Sequence, residues 1–355
     1  MSEADTTLRT AGPLEASIAP KRFQVLALDG GGVKALFTAH ILARLEEDLE
    51  IRVADSFDLI AGTSAGGIVA LALGAGMRPA EIVDRYTELV VKAFPRSRQR
   101  AWRLPRRLIN PAYQSGALRE ALDSVFGDLC LGNSAKRLIV PSWDVQAGAV
   151  HIFKTPHHER LRRDWRTSMV DVAMATSAAP TFFAAAKVDS LRLIDGGVWA
   201  NNPSVIAISE AVSMLEVPLS AMRVLNVGTI DQKTNHPERL DTGGLIRWAR
   251  PGATLLLTAS SRGGQGTAEH LVGSPNFARF DANVPGGLFT LDTADPTALA
   301  GLATSVSRNL SPTYAARFGD HTAPTYTPMN GPGVVGINSS TNTSTQTGEA
   351  PNAAR

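Results

Sequence analysis

Two short apolar runs near the start of the chain each end in a glycine-rich turn. The first, residues 22–29, runs into Asp-Gly-Gly-Gly, and the second, residues 57–63, runs into Gly-Thr-Ser-Ala-Gly. Apolar runs that end in glycines are typical of buried parallel strands, and a stretch with helical spacing follows each turn. This strand–helix–strand–helix order predicts an α/β layer fold with right-handed crossovers.

Later segments extend the same pattern. Further strands are predicted at residues 137–145, 150–155, 191–197 and 222–229. Helices are predicted at residues 33–49, 65–76 and 79–94, and over most of 240–272 and 295–310. A further helix is predicted to begin with Asn202 as N-cap and Pro203 at the first helical position.

The length and the polar ends of the chain suggest its domain organisation. With 355 residues, 44% of them hydrophobic, the chain is long enough for one large domain or two ordinary ones. We expect a flexible leader at residues 1–20, a single catalytic domain at 21–325 and a disordered tail at 330–355, because both ends lack periodicity. Within that domain the motifs lie in residues 23–230, and a helical C-terminal part spans 240–310.

The composition excludes several classes of protein. Lys and Arg number 35 and Asp and Glu 33, so the net charge of +2 predicts no DNA or RNA partner. The single cysteine, Cys130, excludes an intrachain disulfide and fits a reducing compartment. The N-terminus lacks the apolar region of a secretory signal, and no apolar run reaches the roughly 18 residues of a spanning helix. We therefore expect a cytoplasmic protein that meets any lipid substrate at the inner membrane surface.

The first glycine turn, Asp29 to Ala35, has the chemistry of an anion site. Consecutive glycines leave backbone N–H groups uncovered, and the helix that follows directs its positive end toward the turn. Such a loop can hold a phosphate or the oxyanion of an acyl-transfer intermediate. A Walker A loop is excluded because Lys34 is followed by Ala35. The glycine spacing matches a relaxed dinucleotide fingerprint, but the second strand lacks the acidic residue that binds ribose.

The second turn places Ser64 between a strand and a helix. A nucleophile elbow requires small neighbours because its backbone is strained, and Gly62, Ala65, Gly66 and Gly67 meet that requirement. The alternative is a serine that merely caps the helix. A glycine-rich loop one strand earlier favours the catalytic interpretation, since the two turns then supply a nucleophile and an oxyanion hole.

A nucleophilic serine needs a general base. A histidine triad would draw on His236, His270 or His321, but none of them lies at an obvious strand end. The stronger candidate is Asp195, which an apolar strand delivers to a turn that Gly196 and Gly197 leave open. Ligands of parallel sheets gather at the carboxyl ends of strands, which favours this aspartate over a mere turn former. No cluster of His, Cys and carboxylates has metal-ligand spacing, so we expect no metal.

Three motifs together resemble the patatin-like phospholipase family. They are Asp-Gly-Gly-Gly-Val-Lys-Ala at 29–35, Gly-Thr-Ser-Ala-Gly at 62–66 and Asp-Gly-Gly at 195–197, and the segments 176–183 and 200–203 are also similar. The resemblance implies a three-layer α/β/α fold with a mainly parallel central sheet, and a Ser–Asp acyl hydrolase that needs no cofactor. It makes Ser64 the nucleophile and Asp195 the base. It further assigns the oxyanion hole to Gly30, Gly31, Gly32 and Val33, and turn support to Gly62, Gly66, Gly196 and Gly197.

The length and layout also resemble the patatin-like effectors of bacterial cyclic-nucleotide anti-phage (CBASS) systems. That resemblance implies degradation of membrane phospholipid switched on by a cyclic dinucleotide. The oligomeric state stays open, with a dimer or larger form on activation as one alternative. Two alternatives stay open: a constitutive patatin-like lipase or esterase, and a nucleotide-binding regulatory module that does not hydrolyse its ligand.

A basic segment at residues 92–107 is a candidate binding surface, although it matches no known binding motif. Its basic and aromatic side chains include Arg96, Arg98, Arg100, Trp102, Arg103, Arg106 and Arg107. Three interpretations compete: a solvated loop, a patch on anionic lipid, and a pocket for a cyclic dinucleotide. Residues 157–166 form a second basic cluster for the same roles, and the glycines of 260–266 and 284–287 suggest either lid hinges or ordinary loops.

Overall fold

The structure is a computed structural model, and it describes residues 21–95, 110–233, 241–242, 244–285 and 289–331. The predicted leader, most of the predicted tail and residues 96–109 lie outside the described residues. Within the described part, short apolar runs form the strands and longer periodic segments form the helices.

The strands build one large sheet and one two-stranded ribbon. They are β1 (Phe23–Leu28), β2 (Leu59–Gly62), β3 (Arg137–Asp144), β4 (Ala149–Lys154), β5 (Ala186–Val188), β6 (Leu191–Asp195), β7 (Met222–Val227), β8 (Asp231–Lys233), β9 (Phe277–Phe280) and β10 (Asn283–Pro285). The large sheet has the order β5-β6-β3-β2-β1-β7-β9, and β4 also pairs with β3. From β3 to β9 its neighbours run parallel, whereas β4, β5 and β6 add antiparallel pairs at the other end. The ribbon joins β8 to β10.

Helices lie on both faces of this sheet. They are α1 (Ala35–Leu49), α2 (Ala65–Gly74), α3 (Pro79–Ala93), α4 (Ser115–Phe126), α5 (Met169–Thr176), α6 (Gly197–Ala200), α7 (Ser204–Leu215), α8 (Leu245–Val272) and α9 (Pro296–Arg317). A short 3-10 turn, Gly32–Lys34, precedes α1. Among the described residues, no helix is both long and apolar enough to cross a membrane.

The central strands are buried on both faces, and this explains their continuous apolar runs. Alternate strand residues point into two separate cores, as the pleat requires. One core contains α1 to α5 and α9 and the side chains of Leu26, Leu28, Ile60, Leu138, Val140, Leu225 and Val227. The other contains α7 and α8 and the side chains of Val25, Leu59, Ala61, Ile139 and Val224. The molecule is therefore layered helix, sheet, helix.

Most predicted elements are confirmed to within a few residues, and three details differ. The helix expected to begin at Pro203 begins at Ser204, although Asn202 does accept a hydrogen bond from the Ser204 N–H at 2.9 Å. The glycines of 260–266, considered as hinges or loops, lie inside the long helix α8. Strand β6 is antiparallel to β3, so Asp195 does not lie at the carboxyl end of a parallel strand.

Candidate active site

Ser64 occupies a strained turn between β2 and α2. Its φ of 55° and ψ of −125° lie in a region that residues with side chains rarely adopt. The neighbouring glycines are required by close packing, since a Cβ on Gly62 would overlap the carbonyl oxygen of Gly66. A Cβ on Gly66 would in turn overlap the carbonyl oxygen of Leu28 on the adjacent strand. The Gly-x-Ser-x-Gly pattern is therefore a packing requirement of this turn.

Ser64 and Asp195 are in direct contact. The Ser64 hydroxyl donates to Oδ2 of Asp195 at 2.6 Å, and the backbone N–H of Gly197 donates to Oδ1 at 2.7 Å. Asp195 reaches this position because β3 continues past β2 and pairs with β6 there, with Ser142 opposite Asp195. The antiparallel strand β6 thus places the carboxylate at the same edge of the sheet at which the parallel strand β2 places the serine.

Burial changes the acidity of Asp195. The residue is 5% exposed, and this desolvation raises the pKa of its carboxyl group to about 6, although the hydrogen bonds from Ser64 and Gly197 oppose the shift. A carboxylate with such a pKa is ionised at neutral pH and is also a better proton acceptor than an ordinary aspartate. The pair therefore has the geometry and the acidity of a nucleophile and its base.

Thr176, at the end of α5, holds the Ser64 backbone. Its hydroxyl accepts from the Ser64 N–H at 2.9 Å and donates to the carbonyl oxygen of Pro141 at 2.7 Å. It is fully buried. No role for Thr176 was predicted from the sequence. A threonine at the end of a buried helix is the sequence signal that could have indicated it.

The glycine loop lies against Ser64. A Cβ on Gly30 would lie 3.2 Å from the Cβ of Ser64. The N–H of Gly30 donates to the carbonyl oxygen of Asn201 and that of Val33 to the carbonyl oxygen of Leu291, both at 3.0 Å. These two predicted oxyanion donors are therefore already engaged. The N–H groups of Gly31 and Gly32 have no partner among the described residues and remain as candidate donors.

A buried polar network anchors Asp29, the residue before the glycines. Its carboxylate accepts from Asn226 Nδ2 and Ser261 Oγ, each at 2.7 Å, and from Arg279 Nη1 at 2.9 Å. Burial is the largest influence on the pKa of Asp29 and raises it, while the charge of Arg279 and the three donors act in the opposite direction. Arg279 also pairs with Asp281 at 2.6 Å. None of the partners of Asp29 was singled out from the sequence.

The predicted histidine alternatives do not meet Ser64 in the described part of the chain. His270 is exposed on α8, and Nε2 of His321 pairs with Asp58 at 2.7 Å. His236 lies outside the described residues. Across the same described ranges, no group of three or more His, Cys, Asp or Glu side chains is placed to hold a metal ion.

The predicted basic surfaces are only partly described. Arg96, Arg98, Arg100, Trp102, Arg103, Arg106 and Arg107 all lie outside the described residues. In the second cluster, the side chains of Arg160, Arg162 and Arg163 are exposed, and Arg166 lies over the ring of Trp165 at 4.3 Å from its centroid.

Comparisons with known proteins agree with these motifs. A family model described as "Patatin-like phospholipase" matches residues 26–208. A "cGAMP-activated phospholipase" from Vibrio cholerae serotype O1 is 34% identical over 317 residues, which cover 79% of this chain and 88% of the relative. A protein of the same name from Pseudomonas aeruginosa is 39% identical over 214 residues, but the match covers 59% of this chain and 62% of the relative.

A plant protein and a solved structure are also similar. "Patatin-like protein 2" from Arabidopsis thaliana is 35% identical over 279 residues, covering 67% of this chain and 68% of the relative. VipD from Legionella pneumophila is similar with a TM-score of 0.45 at 14% identity, covering 84% of this chain and 68% of that chain. The family model matches just over half of the chain. The chain therefore belongs to the patatin-like phospholipase family, as a lipid ester hydrolase with that family's α/β fold around a mostly parallel sheet.

Proposed function

We propose that the chain hydrolyses carboxylic esters of membrane phospholipids through a dyad of Ser64 and Asp195. The observation that carries the proposal is the 2.6 Å hydrogen bond from the Ser64 hydroxyl to the buried Asp195 carboxylate. It is supported by the position of Ser64 directly before α2, whose positive end favours negative charge at the serine oxygen.

The reaction follows from these contacts. Asp195 takes the proton of Ser64 as Oγ attacks the ester carbonyl carbon, and the N–H groups of Gly31 and Gly32 stabilise the oxyanion. The bond to the glyceryl oxygen then breaks. The proton on Asp195 passes to that oxygen, which leaves as lysophospholipid. Water next attacks the acyl-enzyme and gives a proton to Asp195, the fatty acid leaves, and Ser64 regains its proton.

Regulation by a cyclic dinucleotide is the second part of the proposal. The Vibrio cholerae relative that covers most of this chain is named as cGAMP-activated. We infer that this chain is likewise switched on by a cyclic dinucleotide at the membrane surface, in anti-phage defence, with assembly into a dimer or larger oligomer. The predicted basic segment at 92–107 is the proposed contact for the nucleotide or for anionic lipid.

One experiment tests both parts. Free fatty acid release is measured from phospholipid liposomes with the wild-type chain, with Ser64→Ala and with no protein, each with and without a panel of cyclic dinucleotides. We expect release only from the wild type, and a large increase with one nucleotide. Release that no nucleotide changes would indicate a constitutive lipase. Tight nucleotide binding without release, and without labelling of Ser64 by a fluorophosphonate, would indicate a regulatory module.

A further inference from the structure

Two consecutive serines of α8 reach the two sides of the candidate site. Ser261 Oγ donates to Oδ2 of Asp29 at 2.7 Å, at the start of the glycine loop. Ser260 Oγ donates to the carbonyl oxygen of Trp199 at 3.1 Å and accepts from the N–H of Asn201 at 3.2 Å, in the segment that follows Asp195. Both serines lie outside residues 26–208, the part matched by the family model.

Asn201, which contacts Ser260, also bonds to the glycine loop. Its carbonyl oxygen accepts from the N–H of Gly30 at 3.0 Å, and its side-chain Nδ2 donates to the carbonyl oxygen of Gly30 at 3.3 Å. Asp29 is held by Ser261 directly, and Gly30 is held by Ser260 through Asn201. Adjacent residues of one helix therefore bond to the first two residues of the loop, one directly and one through Asn201.

These mid-helix serines also differ from ordinary helical serines. A serine inside a helix commonly returns its hydroxyl to the carbonyl oxygen one turn earlier or points it to water. Ser261 instead is 7% exposed and directs its hydroxyl to the carboxylate of Asp29, which directly follows β1 and is 1% exposed. Asp29 keeps Asn226 and Arg279 as donors without Ser261, so its charge does not depend on this hydroxyl for compensation.

We propose that Ser260 and Ser261 are positioning residues, which fix the glycine loop and the candidate donor N–H groups of Gly31 and Gly32 relative to Ser64. The inference rests on the proposed function. Its physical basis is that Gly30 abuts Ser64, with 3.2 Å between a Cβ on Gly30 and the serine Cβ. A displacement of about 1 Å in such a site can lower the rate by about 100-fold.

The test uses Ser260→Ala, Ser261→Ala and the double variant, with the wild type measured beside them. Thr267→Ala is the matched control, because Thr267 is an exposed residue of the same helix whose hydroxyl bonds within it, to Gly263 at 2.9 Å. Active-site titration with a fluorophosphonate counts the competent molecules in each preparation. Hydrolysis of a soluble short-chain ester, with and without the same panel of cyclic dinucleotides, then gives kcat and KM per titrated site.

We expect each single serine variant to lose about tenfold in kcat per titrated site, with KM changed less than about twofold. Thr267→Ala should have the kcat of the wild type, and Ser260→Thr, which keeps the hydroxyl, should retain most of that kcat. A reduced titrated fraction with an unchanged kcat per site would show a merely structural role and overturn the inference. Unchanged kcat in the double variant would do the same. A wild type that neither labels nor hydrolyses the ester would instead contradict the proposed function itself, and the inference with it.

Discussion

The Ser64 hydroxyl donates to Oδ2 of Asp195 over 2.6 Å, although the two residues lie 131 positions apart in the chain. Ser64 follows a parallel strand and Asp195 ends an antiparallel one, and β3 brings them together by pairing first with β2 and then with β6. The serine thus contacts its candidate base directly. If this carboxylate is the base, its raised pKa should appear in the pH dependence of the rate.

Loss of either member of the pair should abolish turnover. We expect Ser64→Ala and Asp195→Asn each to lower kcat by at least about 10⁴-fold, by analogy with deletions of catalytic residues in serine hydrolases. The measurement is fatty acid release per folded molecule. Ser124→Ala and Asp123→Asn, both on α4, are the matched controls and should retain wild-type rates. Wild-type turnover in Asp195→Asn would show that another group takes the proton.

The rate should depend on the ionisation of Asp195. Because burial raises the pKa of its carboxyl group to about 6, kcat/KM should fall about tenfold for each pH unit below that value. The substrate is a soluble ester, so that ionisation of a lipid headgroup does not contribute to the pH dependence. A histidine could produce a similar decrease in rate at acid pH, because an imidazole has a similar ordinary pKa. The decrease should therefore remain in His270→Gln and His321→Gln. A decrease centred near pH 4 would be inconsistent with a desolvated base.

The same shift has a consequence for stability. The folded-state pKa of Asp195, about 6, lies above its ordinary value of 3.8, so proton binding favours the folded state. This contribution to the free energy of unfolding is complete below pH 3.8 and is lost as the pH rises through about 6. It amounts to roughly 3 kcal/mol in total.

Asp195→Asn, which stays uncharged, should therefore unfold at a higher temperature than the wild type at pH 8 and at a similar temperature at pH 4. Thermal unfolding across this range is the measurement. Asp123→Asn, at an exposed position, is the control and should show no such pH-dependent gain. An equal difference at both pH values would refute the link to ionisation.

Thr176 should matter for both stability and rate. Thr176→Val keeps the shape of the side chain but leaves the Ser64 N–H and the Pro141 carbonyl oxygen without this partner. We expect a loss of about 1–3 kcal/mol in unfolding free energy and about tenfold in kcat, because the strained serine backbone loses its support. Thr176→Ser, which retains the hydroxyl, should keep most of the rate. Full kcat in the valine variant would argue against a positioning role.

Gly32 should tolerate no side chain. It has a φ of 58°, and a Cβ there would overlap the carbonyl oxygen of Leu291. Gly32→Ala should therefore lower the unfolding free energy by more than about 1 kcal/mol and move a candidate oxyanion donor, which reduces kcat. Gly116→Ala is the control. A Cβ at Gly116 meets nothing within 4 Å in α4, so we expect a gain of about 0.5–1 kcal/mol there. Equal effects of the two substitutions would contradict the steric argument.

The sequence by itself determined the layers of the fold and the identity of the two candidate catalytic residues. Buried strands must be apolar throughout, and the turn at Ser64 admits only small neighbours, so both features are written locally in the chain. The same local logic identified the glycine loop and the aspartate before Gly196 and Gly197. These inferences needed no knowledge of which distant segments pack together.

Only the tertiary structure decided how the site is completed. The direction of β6, the support that Thr176 gives to Ser64 and the contacts of Ser260 and Ser261 with the glycine loop are not encoded in any short pattern. The Val33 N–H illustrates the reason. Its local sequence suggests a free donor, but Leu291, far along the chain, already occupies it. Which polar groups are free depends on packing between elements distant in sequence, whereas strain and burial within one turn constrain the residues of that turn alone.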